Sequence, residues 1–258
     1  YIKPFILRRM KTDVLTELPE KIETRLVAEM SEAQQKIYMA YLMQAKEEMR
    51  KELADKGFEK SQFKILSILT RLRQICCHPA LIMENYSGES GKMTLLEEVF
   101  KDAIEGGHRI LLFSQFTSML GIIRQYLDKQ HIEYYYLDGQ TPTRDRSDFV
   151  RAFNGGSRTV FLISLKAGGV GLNLVGADTV IHYDPWWNPA VEDQATDRAY
   201  RIGQQNVVQV IKLIAKGTIE EKIEVLKQKK KALVEAVIQP GETFVNKLTK
   251  DEILQLFD

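Results

Sequence analysis

Cysteine is scarce in this chain, and the two it has are neighbours, Cys76 and Cys77. They have no partners for a metal quartet or a disulfide framework, which points to a reducing compartment. His78, His108, His131 and His182 stand apart, without metal-ligand spacing. They read as structural or surface residues, and no resident metal is expected. No apolar run nears the roughly 18 residues of a membrane span, so no membrane partner is expected. The opening YIKPF has neither a methionine nor a signal-peptide pattern, and the expectation is an intracellular piece of a longer chain. No Ser/His/Asp order suggests acyl transfer. Neither sign of charge dominates: 36 Lys and Arg against 35 Asp and Glu leave +1. A local basic face would be averaged away in that figure. A phosphate loop is also missing. The run GESGK at 88–92 imitates one, but Tyr86 stands where the first glycine belongs and Met93 where Ser or Thr should follow. Lys92 is expected to open a helix instead.

With 258 residues, 44% hydrophobic and 28% charged, the chain has room for one substantial core and a smaller unit. Residues 1–30 read as a connector, basic at Arg8, Arg9 and Lys11, with a short strand at 25–30. Ser31 and Gln34 form a capping box. Behind it, apolar residues at helical spacing predict a helix ended by Gly57 and a second at 62–76, closed by Pro79. Residues 31–92 are therefore a helical subdomain. Residues 93–215 alternate. Strands are predicted at 110–113, 132–137, 159–163, 179–182 and 207–213, and helices at 93–105, 116–130, 143–153 and 189–202. Nearly all-apolar strands between helices predict an α/β fold, a parallel sheet with helices on both faces. Residues 216–258 hold a long helix from 219 to 238 capped by Thr218, a Pro240-Gly241 break, and a short helix at 249–256.

In such sheets ligands gather beyond the carboxyl ends of the strands. Ser114 and Gln115 follow one strand, Asp138, Gly139, Gln140 and Thr141 another, and SLKAGGVG at 164–171 a third. Asp184-Pro185-Trp186-Trp187-Asn188-Pro189 follows the fourth. Small polar and glycine residues let backbone amides approach phosphates. The glycine run at 168–171 fits a tight turn or, with Ser164 and Lys166, a phosphate contact. Adjacent tryptophans fit core packing or base stacking. Tyr134, Tyr135 and Tyr136 read as half core, and Lys227, Lys229, Lys230 and Lys231 as a solvated helix face. If residues 189–202 are helical, Gln194, Arg198 and Arg201 share one face. Such an arginine stripe suits a γ-phosphate; the plainer reading is a solvated helix with an Asp197–Arg201 pair.

These strand ends, in this order, resemble the second RecA-like lobe of superfamily-two helicases, and more narrowly the SWI/SNF-family ATPases. The carriers are ILLFSQFT at 110–117, YLDGQT at 136–141 with Arg146, SLKAGGVGLNL at 164–174, DPWWNP at 184–189 and QATDRAYRIGQ at 194–204. Upstream, LRRMKTDV at 7–14, LPEK at 18–21 and LRQICCHP at 72–79 also look like the family. The resemblance implies two lobes closing on ATP and Mg²⁺. A first lobe, absent from these residues, would hold the phosphates and the metal. This chain would supply Arg198 and Arg201 as catalytic arginine fingers. Gly169, Gly171, Asn173 and Gln194 would line the nucleotide. Ser114, Gln115, Gly139, Thr141, Ser164, Lys166 and Trp187 would line double-stranded DNA. The last helix would brace the lobes. The implied partners are the first lobe, duplex DNA and proteins bound to it, in a nucleoid or a nucleus. By itself the chain is expected to be inactive. Two other readings stay open: a non-catalytic DNA-binding or docking module, and an RNA helicase lobe, which residues 184–189 fit less well.

Overall fold

The computed structural model describes residues 18–167, 171–237 and 249–257. Six parallel strands form one sheet in the order β1-β6-β5-β2-β4-β3. They are β1 (Lys21–Ala28), β2 (Ile110–Ser114), β3 (Tyr134–Leu137), β4 (Val160–Ser164), β5 (Thr179–His182) and β6 (Val208–Ala215). β2, β4 and β5 are buried along their whole length, which is why they read as unbroken apolar runs. Successive residues serve opposite faces. Ile110, Leu112, Val160 and Leu162 pack under α2 (Gly91–Glu105) and α3 (Thr117–Lys129). Leu111, Phe113, Phe161 and Ile163 pack toward Phe153 of α4 (Thr143–Asn154) and Ala195 of α5 (Pro189–Thr196).

β1 lies inside the stretch expected to be a connector. It pairs with β6 from Lys21↔Val208 to Ala28↔Ala215 and is the edge strand of the same sheet. The LRRMKTDV run, with Arg8, Arg9 and Lys11, lies outside the described residues, as does the Pro240-Gly241 break.

A third core joins α1 (Glu32–Cys77), α6 (Ile219–Val237) and α7 (Lys250–Phe257). α1 is two helices folded against each other at Gly57, whose φ of 73° only glycine adopts readily. Tyr41 meets Arg71 at 3.1 Å, Glu48 meets Lys64 at 3.1 Å, and Ser61 reaches back to the Glu52 carbonyl at 3.2 Å. Ser31 caps the first helix, accepting from the Gln34 N–H at 3.2 Å. The Gln34 side chain does not close the expected capping box. It is buried, donates to the Ile75 carbonyl at 2.8 Å and accepts from the Gly91 N–H at 3.0 Å.

Lys92 is in the first turn of α2, buried, with its ammonium 2.6 Å from Glu220 and 2.9 Å from the Tyr183 carbonyl. It fastens α2 to α6 and takes no part in phosphate binding. At Gly91 a Cβ would fall 1.8 Å from the Glu29 carbonyl oxygen, so the backbones there meet without room for a side chain.

Candidate functional site

The carboxyl ends of β2 and β4 sit side by side, with Ser114 opposite Ser164 in the register. Both serines are buried. The Ser114 hydroxyl donates to Asp184, and the Gln115 N–H lies 3.3 Å from both Asp184 oxygens. The Ser114 hydroxyl, expected on the DNA side, is therefore turned inward onto the loop after β5, and Ser164 is buried beside it.

That loop is locked by Arg73 of α1. Its guanidinium is 1% exposed, 3.5 Å from Asp184, and donates to the Pro185 carbonyl. The Phe116, Trp186 and Trp187 rings surround it at 5.7, 5.8 and 5.3 Å. Burial holds the Asp184 carboxyl above its usual range, against the opposing pull of Arg73. Trp187 is 5% exposed and belongs to the α1–α6–α7 core. Its indole is framework, contrary to its expected place on DNA. Trp186 is the half-buried member of the pair and lines the surface.

A pocket of about 260 Å³ opens at this edge, lined by Gln115, Leu165, Lys166, Trp186, Val191 and Gln194. Lys166 and Gln194 are exposed. The Gln115 side-chain nitrogen is covered and has no hydrogen-bond partner. Beyond β3, Asp138 folds the chain tightly. Its carboxylate accepts from the N–H groups of Gln140 at 2.9 Å and Thr141 at 3.2 Å. Burial opposes the charge on Asp138, but these donors bring its carboxyl below the ordinary value. Arg146 donates to the Thr141 carbonyl at 2.8 Å. Gly139 and Gln140 are left exposed at the crest.

α5 ends at Thr196, not at 202. Gln194 therefore does not share a helical face with Arg198 and Arg201; it faces the Lys166 pocket instead. The chain turns through 197–203, and the Arg198 carbonyl accepts from the Leu174 N–H at 2.8 Å. Arg201 donates to the Leu172 carbonyl at 3.2 Å. Arg198 is 9% exposed, and its guanidinium pKa is lowered first by burial and then by Arg201. Gly171, with φ 41°, and Asn173 are exposed on the same segment. Thus Gly171, Asn173, Arg198 and Arg201 come together, while Gly169 lies outside the described residues.

Gln204, the last residue of the QATDRAYRIGQ run, holds this turn. Its side-chain N–H₂ donates to the carbonyls of Ala177 at 2.7 Å, Ala199 at 3.1 Å and Val175 at 3.2 Å. Its oxygen accepts from the Gln205 and Asn206 N–H groups, each at 2.9 Å. A buried amide with every site used is a strong positional constraint. A glutamine after Arg-Ile-Gly was the available signal. Lys227, expected on a solvated face, is 5% exposed and paired with Glu192. Lys229 is exposed; the Lys230 and Lys231 side chains lie outside the description.

Residues 91–203 match the helicase conserved C-terminal domain, and residues 1–81 the SNF2-related domain. The Sulfolobus solfataricus SWI2/SNF2 ATPase C-terminal domain is 34% identical, with a TM-score of 0.74, covering 92% of this chain and 98% of that one. The chain belongs to the SWI2/SNF2 family of ATPases. Its sheet is the RecA-like sheet of that family's C-terminal lobe. The S. solfataricus SWI2/SNF2 ATPase core in complex with dsDNA is 36% identical with a TM-score of 0.77, over 99% of this SWI2/SNF2 chain and 54% of that structure. Among curated proteins, an uncharacterized ATP-dependent helicase of Mycoplasma pneumoniae is 42% identical over 99% of the chain and 24% of its own length. The SWI/SNF-related matrix-associated actin-dependent regulator of chromatin subfamily A member 1 of Mus musculus is 40% identical over 99% of the chain and 25% of its own length. The SWI2/SNF2 chain thus spans about a quarter of the length of the curated relatives it matches.

Proposed function

We propose that this chain is the second motor lobe of an intracellular ATP-dependent translocase on double-stranded DNA, of a remodelling or protein-displacing type. The observation that carries the reading is the pairing of Arg198 and Arg201 at the 171–174 segment, on the carboxyl side of a sheet whose relatives include a core solved with dsDNA. Two guanidiniums beside exposed backbone suit a polyphosphate. Among the described residues, no group of three or more His, Cys, Asp or Glu is arranged for a metal. The two arginines suit the phosphates of ATP, and Mg²⁺ would be held by the first lobe. When bound, ATP and Mg²⁺ supply the bond that is hydrolysed and a counter-charge for its phosphates. Arg198 and Arg201 would meet the γ-phosphate as the lobes close, Gly171 and Asn173 would lie along the nucleotide, and Gln204 would hold the turn.

Gln115, Gly139, Thr141, Lys166 and Trp186 would form the DNA edge, with Gln194 beside Lys166. Ser114, Ser164 and Trp187 would shape that edge from behind. Lys166 suits a phosphate oxygen, and the Trp186 indole suits stacking or groove contact.

The test is ATP hydrolysis by this chain alone and mixed with a separately made first lobe, with and without duplex DNA. Activity that appears only in the mixture and rises with DNA is expected. Hydrolysis by the chain alone, or a mixture indifferent to DNA, would overturn the reading. If the mixture hydrolyses no ATP with or without DNA, a non-catalytic docking module takes its place.

A further inference from the structure

α5 is a short bridge with a different loop at each end. Asn188, the last residue of the tryptophan loop, caps it by accepting from the Ala190 N–H at 3.0 Å. The turn bearing Arg198 and Arg201 begins where it ends, at Thr196. On its first turn is Glu192, 1% exposed. One carboxylate oxygen accepts from the Trp186 N–H at 2.6 Å and from the Lys227 ammonium of α6 at 2.8 Å. The other is 3.2 Å from Lys212 of β6, near enough for an ion pair but not aligned for a hydrogen bond. Lys227 also bonds Glu224 on its own helix, and Glu224 lies 3.9 Å from Arg25 of β1. Burial alone would raise the Glu192 carboxyl, yet Lys227 and Lys212 bring it down to about 2.

A cluster of this kind contributes little to net stability, because desolvating its charges offsets most of their attraction. Its effect is directional. The Trp186 N–H and the Lys227 and Lys212 ammoniums converge on the Glu192 carboxylate, which fixes its position. We propose that Glu192 is a positioning residue through which Lys227 of α6 sets the tryptophan loop, at the opposite end of α5 from the arginine turn. The orientation of α6 thereby governs how strongly DNA contact raises turnover. This rests on the motor reading for its activity arm, but the contact itself is tested without it.

The experiment uses Lys227→Met and Lys227→Arg, which substitute no residue of the Arg198 and Arg201 turn or of the DNA edge. Trp186 and Trp187 are the chain's 2 tryptophans, so tryptophan emission reports the loop directly. In the chain joined to its first lobe, Lys227→Met is expected to lower the DNA-stimulated rate roughly tenfold. Basal turnover and the KM for ATP should stay within about twofold, and in this chain by itself emission should shift to the red. Lys227→Arg should restore both stimulation and emission. A Lys227→Met protein with unchanged stimulation and emission would overturn the proposal. So would a parallel fall in basal and stimulated rates, which is what plain destabilisation gives. If the unaltered protein shows no DNA-stimulated hydrolysis, the motor reading fails separately. An emission shift reversed by Lys227→Arg then still supports the coupling, and its absence overturns it.

Discussion

Two loops lie on either side of α5, and they use their polar groups in opposite ways. In the loop after β5, Asp184 is tied to Ser114, Gln115 and Arg73, the Pro185 carbonyl to Arg73, and the Trp186 N–H to Glu192. In the turn after α5, Gln204 binds the backbone from beneath while Arg201 reaches a single carbonyl at the rim. The first loop spends its chemistry on itself; the second keeps a charged fork near the surface. Motif residues are thus of two kinds. Some are left open at the surface, and some hold the shape that keeps them there.

The largest effect that sharpens this contrast is at Arg201. In the chain joined to its first lobe, Arg201→Ala should cut ATP turnover by about 10³–10⁵, with DNA affinity nearly unchanged, as read by steady-state hydrolysis and DNA titration. An unchanged turnover would remove the finger assignment. Next is the closed loop. Arg73→Met leaves Asp184 buried without its cation, and loss of one partner of a buried pair costs about 3–5 kcal/mol. Chemical denaturation should show that loss. If Arg73→Met instead leaves stability intact and changes only hydrolysis, the two loops are not different in kind.

The smallest effect is a pH dependence. Burial lowers the His182 pKa to about 4 from its ordinary 6.5, and the ring meets the Thr196 hydroxyl at 2.9 Å. The folded state thus keeps this imidazole neutral, whereas the unfolded state takes up a proton below pH 6.5. Its contribution is full above pH 6.5 and is lost as pH falls toward 4. Glu192, lowered to about 2 from 4.5, acts in the same direction between pH 4.5 and 2. Stability should therefore fall steadily on acidification. His182→Gln should flatten the upper part of that curve by an amount on the order of 3 kcal/mol. Parallel curves for both proteins would mean that the ring titrates normally.

Much of the sheet was legible because its signal is local. β2, β4 and β5 are covered on both faces, and a run such as ILLFS admits little else. The strand ends followed from the same pattern, and with them the loops that carry the site. What escaped depends on distant partners. Residues 197–202 keep helical spacing, but the Arg198 carbonyl is taken by Leu174 and Gln204 draws the chain inward. No local residue before Gly203 announces that turn. Lys227 looked solvated because Glu192 is 35 residues away. Trp187 and Ser114 looked available because α1 and Asp184, which cover them, come from elsewhere in the chain.

β1 and β6 are hydrogen-bonded neighbours, yet Glu29 and Lys216, which pair just beyond their ends, are 187 residues apart. At usual synthesis rates that interval corresponds to about 10–40 s on the ribosome. Throughout it, Ile22 and Val27 sit on a nascent strand whose template has not yet been made. Closing so long a loop is a late and slow step. The lobe is therefore expected to assemble outward from β2 and β4, taking up its earliest-made strand last.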